Sequence, residues 1–312
     1  MPKQPIKPFK LVPGDRIGIV APASSFAKSG LRLGIDKLRW WGFDPVVPER
    51  VLEHATRPSD KERTRRYREK AEEIVKMFSD PSISAIFCAE AGYGSIAILP
   101  FLEEVDLSRH PKIFVGFSDI TLLLLYFHVR YGWVTFHGPT VAQELYKGMP
   151  PATEIALQEA ITKTGRLGDI YGHDLEVIVP GEAGGRITGG NLSRMLMTLG
   201  THFEIDTRER ILFIEEVDEG HIEIDGNLNH LKLAGKLDRV AGIVFSEMIG
   251  CMAGDRRALL RYLRRFFKGA RYPVLLGLPS GHGLENITIP IGVRAKITQD
   301  PPRLLIEEGG VR

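Results

Sequence analysis

At 312 residues the chain exceeds the usual span of one domain and suits two, and its 43% hydrophobic, 26% charged composition supplies material for a sizeable core. The 41 basic residues stand against 39 acidic ones, and this formal charge of +2 lacks the electrostatic footprint of a nucleic-acid or anionic-membrane binder. The two cysteines, Cys88 and Cys251, lie far apart and outside any CxxC arrangement, which excludes a disulfide framework and fits a reducing compartment.

The first residues carry prolines and lysines where a signal peptide needs a continuous apolar stretch, and no run approaches the roughly 18 apolar residues that span a bilayer. A cytoplasmic location is expected. Arg16–Ala21 reads as a buried strand ended by Pro22, and Lys28–Trp41 carries apolar positions at helical spacing up to Gly42. Asp44–Val51 suggests a second strand and Asp60–Phe78 a helix, in which the interleaved charges of Lys61 to Glu73 form a solvated face. Ile83–Cys88 is a strand leading into the turn AGYG, Lys112–Val115 a further strand, and Thr121–Val129 a helix. Strands alternating with helices predict an α/β fold with a parallel sheet, whose ligands collect at the C-terminal strand ends.

From Lys147 the pattern loosens, apart from a helix near Thr153–Thr164, and this stretch is read as a connector. The second half opens with RITGGNLSRMLMTLG. It continues with a strand at Ile211–Glu215, a helix near Asn227–Ala234, a strand at Val240–Phe245, and β-like pieces at Pro273–Leu276, Ile287–Pro290 and Ala295–Ile297. The expected division is residues 1–148, a connector at 149–182, and a unit at 183–312.

Gly116-Phe117-Ser118-Asp119 runs from a strand through a tight turn into a helix start, which holds a serine clear of the sheet beside helix-terminal N–H groups. The turn is close to the elbow G-x-S-x-G, but Ile120 stands where the second glycine belongs, so spacing alone leaves a helix-capping serine as the alternative. A nucleophilic serine needs a base and the base an orienting carboxylate. Of the nine histidines, His54, His110 and His173 fall in polar loops, and His128 and His230 fall at helical spacing. His282 sits in the glycine-flanked loop PSGHGLEN after a strand, and His137 in TFHGPT is a second candidate. The carboxylate candidates are Glu215 and Glu216, which end an apolar strand; their side chains point to opposite faces, so only one can meet the base.

Together GDRIGIVAPAS, AGYGSIAILP, GFSDITLLLL, TFHGPT, GGNLSRMLMTLGT, ILFIEEVDE and LPSGHGLENITIPIG resemble, in order, the LD-carboxypeptidase family of serine peptidases. That family includes cytoplasmic muramoyltetrapeptide carboxypeptidases and microcin C immunity peptidases. The resemblance implies a parallel-sheet α/β N-terminal domain, a smaller β-rich C-terminal domain, an active site in the cleft between them, and a homodimer. It implies a triad on Ser118, Glu215 and His282, with an oxyanion hole from the backbone N–H groups of Gly92 and Asp119. The substrate is then a small muropeptide-like peptide, with Glu90, Tyr93, His137 and Asn191 as candidate contacts.

Two departures bear on that substrate. Glu90 and Ala91 stand where the family usually carries Arg and Gly, and Gly226 follows Ile224-Asp225 where Arg is usual, so two positive charges are expected to be missing near the cleft. The glycines of Thr188–Ser193 lack the lysine of a phosphate-binding loop and are read as a turn lining the cleft. No spacing of His, Cys and Asp suggests a metal, and no cofactor is expected. A serine at the elbow also argues against a cysteine amidotransferase. A peptidase acting on aminoacyl nucleotides and a non-catalytic binding protein on the same fold remain as alternatives.

Overall fold

The computed structural model describes residues 4–56 and 58–312. Its strands are β1 (Arg16–Val20), β2 (Asp44–Val46), β3 (Ile83–Cys88), β4 (Ile113–Gly116), β5 (Thr135–His137), β6 (Gly168–Ile170), β7 (Glu176–Val179), β8 (Ala183–Asn191), β9 (Arg210–Glu215), β10 (Gly242–Ser246), β11 (Val274–Leu278), β12 (Ile289–Ile291), β13 (Arg294–Gln299) and β14 (Pro302–Ile306). The helices are α1 (Lys28–Trp40), α2 (Glu49–Glu53), α3 (Arg63–Ser79), α4 (Ser95–Leu102), α5 (Thr121–Tyr131), α6 (Pro151–Thr162), α7 (Leu192–Leu196), α8 (His221–Leu233) and α9 (Arg256–Phe266).

Two sheets organise the chain. The first has the order β12-β5-β4-β3-β1-β2 and is parallel except for β12, which returns from the C-terminal half to pair antiparallel with β5. The second has the order β6-β14-β13-β8-β9-β10-β11-β7; its β8–β11 centre is parallel, and its flanking strands are antiparallel. The α/β expectation therefore holds, with a β-rich second half.

Helix α5 shows why the site lies deep. A surface helix shows one apolar stripe, whereas TLLLLYFH is apolar nearly all round, and every residue from Thr121 to His128 is buried. On one side Phe127 packs with Phe78, Phe114 and Trp133, at centroid separations of 4.9, 5.1 and 5.6 Å. On another, Leu125 joins the core beneath the second sheet with Leu212 and Ile214. Each such side chain contributes about 1.5–3 kcal/mol. The turn that precedes this helix is thus held where the two sheets meet.

Several local expectations change. Residues 149–182 are more than a connector: β6 and β7 form the two edges of the second sheet. The strand expected through Val51 ends at Val46, because Pro48 precedes a turn of helix at α2. Helix α8 begins at His221, ahead of the expected Asn227. Strand β8 is hidden in sequence by its glycines, which tertiary contact demands: a Cβ on Gly189 would stand 1.9 Å from the Phe213 carbonyl oxygen.

Candidate functional site

Three side chains that follow C-terminal ends of parallel strands converge. Ser118 comes two residues after the end of β4, Glu215 is the last residue of β9, and His282 lies in the loop after β11. His282 Nδ1 is 2.7 Å from Glu215 Oε2, and His282 Nε2 is 3.1 Å from Ser118 Oγ. With Nδ1–H donating to the carboxylate, Nε2 is left to accept the Ser118 hydroxyl proton. Of the two glutamates, Glu215 is the one that reaches the imidazole.

Ser118 has φ +57°, a conformation that is rare outside glycine, and it opens the helical turn Ser118–Ile120 ahead of α5. Ile120 does not crowd the serine despite replacing an elbow glycine. Its side chain turns into the core over Gly116, where an added Cβ would meet Ile120 Cγ2 at 2.7 Å. The turn is also tied to the AGYG segment. Asp119, fully buried, accepts a 2.8 Å hydrogen bond from the Ser95 N–H at the start of α4, and Ser24 Oγ accepts one from the Tyr93 N–H at 2.9 Å. The Asp119 bond joins the end of the AGYG turn to the Ser118–Asp119 turn, and Gly92 and Ser118 line the same cleft. Burial pushes the Asp119 carboxyl up, against the Ser95 hydrogen bonds and the charges of Arg194 and Lys70.

Electrostatics separate the neighbouring glutamates. Burial alone would raise Glu215, but the imidazoles of His137, 3.7 Å away, and of hydrogen-bonded His282 bring it down to about 2. The Glu216 carboxyl is pushed up by burial and the Glu215 charge, against the hydrogen bonds it accepts from Asn191 Nδ2 at 2.8 Å and the Ser193 N–H at 2.9 Å. For His282, burial lowers the imidazole but the Glu215 hydrogen bond and charge, with Glu216 and Glu144 behind them, raise it above its usual range.

A cleft of about 530 Å³ opens on Ser118 and His282, with Glu90, Gly92, Asn191 and Arg194 also on its wall. Asn191 caps α7, its Oδ1 accepting from the Arg194 N–H at 3.2 Å, which presents Arg194 to the cleft. Glu90 is pushed up to about 7, mainly by burial, with the Glu144 charge adding to it. The other expected contacts lie elsewhere. Tyr93 is 56% exposed at the rim, 5.7 Å from the Arg194 guanidinium. His137 is fully buried and reaches the site only from behind Glu215, with Nε2 3.7 Å from Oε1, so direct substrate contact is not available to it. Gly226 lies exposed on α8 and is not among the residues lining the cleft, whereas Glu90 and Ala91 are.

Sequence reasoning missed Arg194, Gln143 and the half-buried Glu144. Arg194 had a local signal in the GGNLSR turn; Glu144, one helical turn from Thr140, whose N–H and hydroxyl bond its carboxylate, had none. His54, expected in a polar loop, is buried, with its imidazole lowered to about 3 by burial and by nearby Lys70, Arg66 and Arg50. A serine hydroxyl, an imidazole and a carboxylate in this order can move a proton off the serine and return it to a leaving group. Among the described residues no group of three or more His, Cys, Asp or Glu is arranged to hold a metal, and no helix is long and apolar enough to cross a membrane.

Comparison with known proteins identifies the family. The family model for the LD-carboxypeptidase N-terminal domain matches residues 17–138, and that for the LD-carboxypeptidase C-terminal domain matches residues 184–297. A Bacillus subtilis protein named Probable murein peptide carboxypeptidase is 34% identical, covering 97% of this chain and 95% of its own. The Microcin C7 self-immunity protein MccF of Escherichia coli is 28% identical over 97% of this chain and 96% of its own. A solved structure of the microcin C7 self immunity protein MccF in complex with aspartyl sulfamoyl adenosine superposes with TM-score 0.86 at 25% identity, covering 99% of this chain and all of the other. With both halves matched in order and a relative this similar along nearly its whole length, the chain belongs to the LD-carboxypeptidase family of S66 peptidases.

Proposed function

We propose that this chain is a serine carboxypeptidase that hydrolyses the L,D-peptide bond to the terminal D-alanine of murein tetrapeptides, in the cytoplasm, during cell-wall recycling. The observation that carries this reading is the continuous contact from Glu215 through His282 to Ser118, 2.7 and 3.1 Å long, beside an open cleft. In this reading residues 1–148 supply the nucleophile, residues 183–312 supply the glutamate and histidine, and two copies form a dimer.

Ser118 Oγ attacks the scissile carbonyl carbon while His282 Nε2 takes its proton. Glu215 holds the imidazole tautomer and stabilises the imidazolium. The N–H groups of Gly92 and Asp119 receive the oxyanion, each contributing about 3–4 kcal/mol. The tetrahedral intermediate collapses as His282 protonates the departing amine of D-alanine, and water, deprotonated by His282, clears the acyl-enzyme. A carboxypeptidase must also read a free terminal carboxylate. Arg194, the one Lys or Arg among the described residues that line the cleft, is suited to that contact, and its guanidinium geometry favours a carboxylate.

A second reading is supported by the 28% identity to a microcin C7 self-immunity protein: cleavage of an aminoacyl or peptidyl nucleotide amide. Incubating the protein separately with a free murein tetrapeptide and an aminoacyl sulfamoyl adenosine, with mass spectrometry as readout, distinguishes the two. Loss of alanine from the tetrapeptide supports the first reading. Cleavage of the nucleotide conjugate alone supports the second. Turnover of neither, with no fluorophosphonate adduct on Ser118, would favour a binding protein on a peptidase fold.

A further inference from the structure

Glu215 is fully buried, and the His282 hydrogen bond uses only one of its carboxylate oxygens. The other, Oε1, has no hydrogen-bond partner among the described residues. A buried carboxylate with one oxygen unmet is costly, because the desolvated acceptor regains nothing for the water it has lost. The nearest complementary group is His137, whose Nε2 lies 3.7 Å from Oε1. Neither His137 nitrogen has another partner, and its ring is fully buried edge-on to Phe117 and Phe213, at centroid distances of 6.0 and 5.0 Å.

The position of His137 in the fold makes this pairing mechanical. It ends β5, where it is in register with Gly116 of β4, two residues before Ser118, and with Ile289 of β12, which follows the His282 loop. His137 therefore belongs to the first sheet yet faces a carboxylate delivered by the second. Phe117 touches both imidazoles, lying 4.9 Å from the His282 ring. We propose that His137 is a positioning residue: its Nε2–H donates to Glu215 Oε1, so that the carboxylate is gripped between two imidazoles and Oε2 stays aimed at His282. The remaining gap exceeds hydrogen-bond length by well under 1 Å, and such contacts commonly tighten only in the substrate complex. His137 touches no substrate; it acts through Glu215, and the inference rests on the triad reading given above.

The test compares three variants with the wild type on whichever substrate it turns over. His137→Phe keeps the ring packed between Phe117 and Phe213 but removes the donor. His137→Gln keeps a donor near the Nε2 position. Glu215→Gln tests the triad itself. We expect His137→Phe to lower kcat about ten- to hundred-fold with KM within about twofold, as for a misdirected catalytic group. His137→Gln should recover most of kcat, and His137→Phe should cost little further in the Glu215→Gln background. Equal losses in the Phe and Gln variants, a change confined to KM, or an unchanged kcat in His137→Phe would overturn the inference. If Glu215→Gln itself leaves kcat intact, the triad reading fails first. Thermal unfolding of each variant separates these outcomes from misfolding, because a merely structural role would lower Tm and kcat together without rescue by glutamine.

Discussion

In one region of the cleft Ser118, His282 and Glu215 hold one another at 3.1 and 2.7 Å, with Glu215 wholly buried. In another, Glu90 and Arg194 face the same space: Glu90 accepts from the Ala91 N–H at 3.0 Å, while Arg194 Nε pairs with Asp119 Oδ1 at 3.3 Å and its guanidinium lies 5.7 Å from the Tyr93 ring. The first region is over-determined by strand ends from two sheets, and substitutions there should damage the rate. The second is built on loop and helix-start residues, where substitutions should alter what is bound. Under the proposed function, the first region would do the chemistry and the second would select the substrate.

The sharpest break is Ser118→Ala, expected to lower kcat by about 10⁴–10⁶ with the fold intact, checked by steady-state kinetics and thermal melting. Residual activity near wild type would remove Ser118 from the chemistry.

The paired glutamates come next. Glu215→Gln should cost about 10³–10⁴ in kcat. Glu216→Gln should cost about tenfold or less, because Glu216 orders Asn191 and Ser193 rather than the imidazole. Equal losses would erase the distinction between them. The pH profile tests the same relay. His282 must be unprotonated to accept the Ser118 proton, and its value is raised, so activity should fall as pH drops through a midpoint above 6.5. Glu215→Gln removes the charge that raises it and should move that midpoint down. A midpoint unmoved by the variant would detach Glu215 from the titration.

On the selecting side, Arg194→Met should raise KM about tenfold, with a smaller change in kcat. A substrate whose terminal carboxylate is amidated should bind the variant and the wild type alike. The smallest effect is expected from Glu90→Gln, a change of a few-fold in KM that is greatest above pH 7, where the native carboxyl, pushed up to about 7, carries its charge. A kcat collapse in Glu90→Gln would move Glu90 into the reacting region and weaken the comparison.

Much of the reacting region was legible in the chain because its signals are local. A strand running into GFSD, a strand ending in Glu215-Glu216, and a glycine-flanked histidine loop each announce themselves within about a dozen residues, and the resemblance of seven ordered motifs joined them. Local signals also placed β1, β3, β4, α1 and α5. Long-range signals failed. Strand β8 reads as a turn because its glycines answer to Phe213 and Thr121 across space, not to their neighbours in sequence. Helix α9 went unread although Asp255 caps it and Leu259, Tyr262 and Leu263 form its buried stripe. The loss of charge expected at Gly226 falls on an exposed position of α8, outside the residues that line the cleft.

The sequence by itself determined which residues carry reactive groups, in what order, and on which kind of element, since strand–turn–helix punctuation and apolar periodicity are properties of neighbouring residues. Only the tertiary structure put Glu215, which the family resemblance had already implied, within reach of the histidine. The same holds for the burial of His137 behind that glutamate rather than in the cleft, and for the arginine that lines the cleft. Those outcomes depend on how two sheets pack around α5 and on where burial leaves a carboxylate oxygen without a partner, and neither is encoded in any short stretch of the chain.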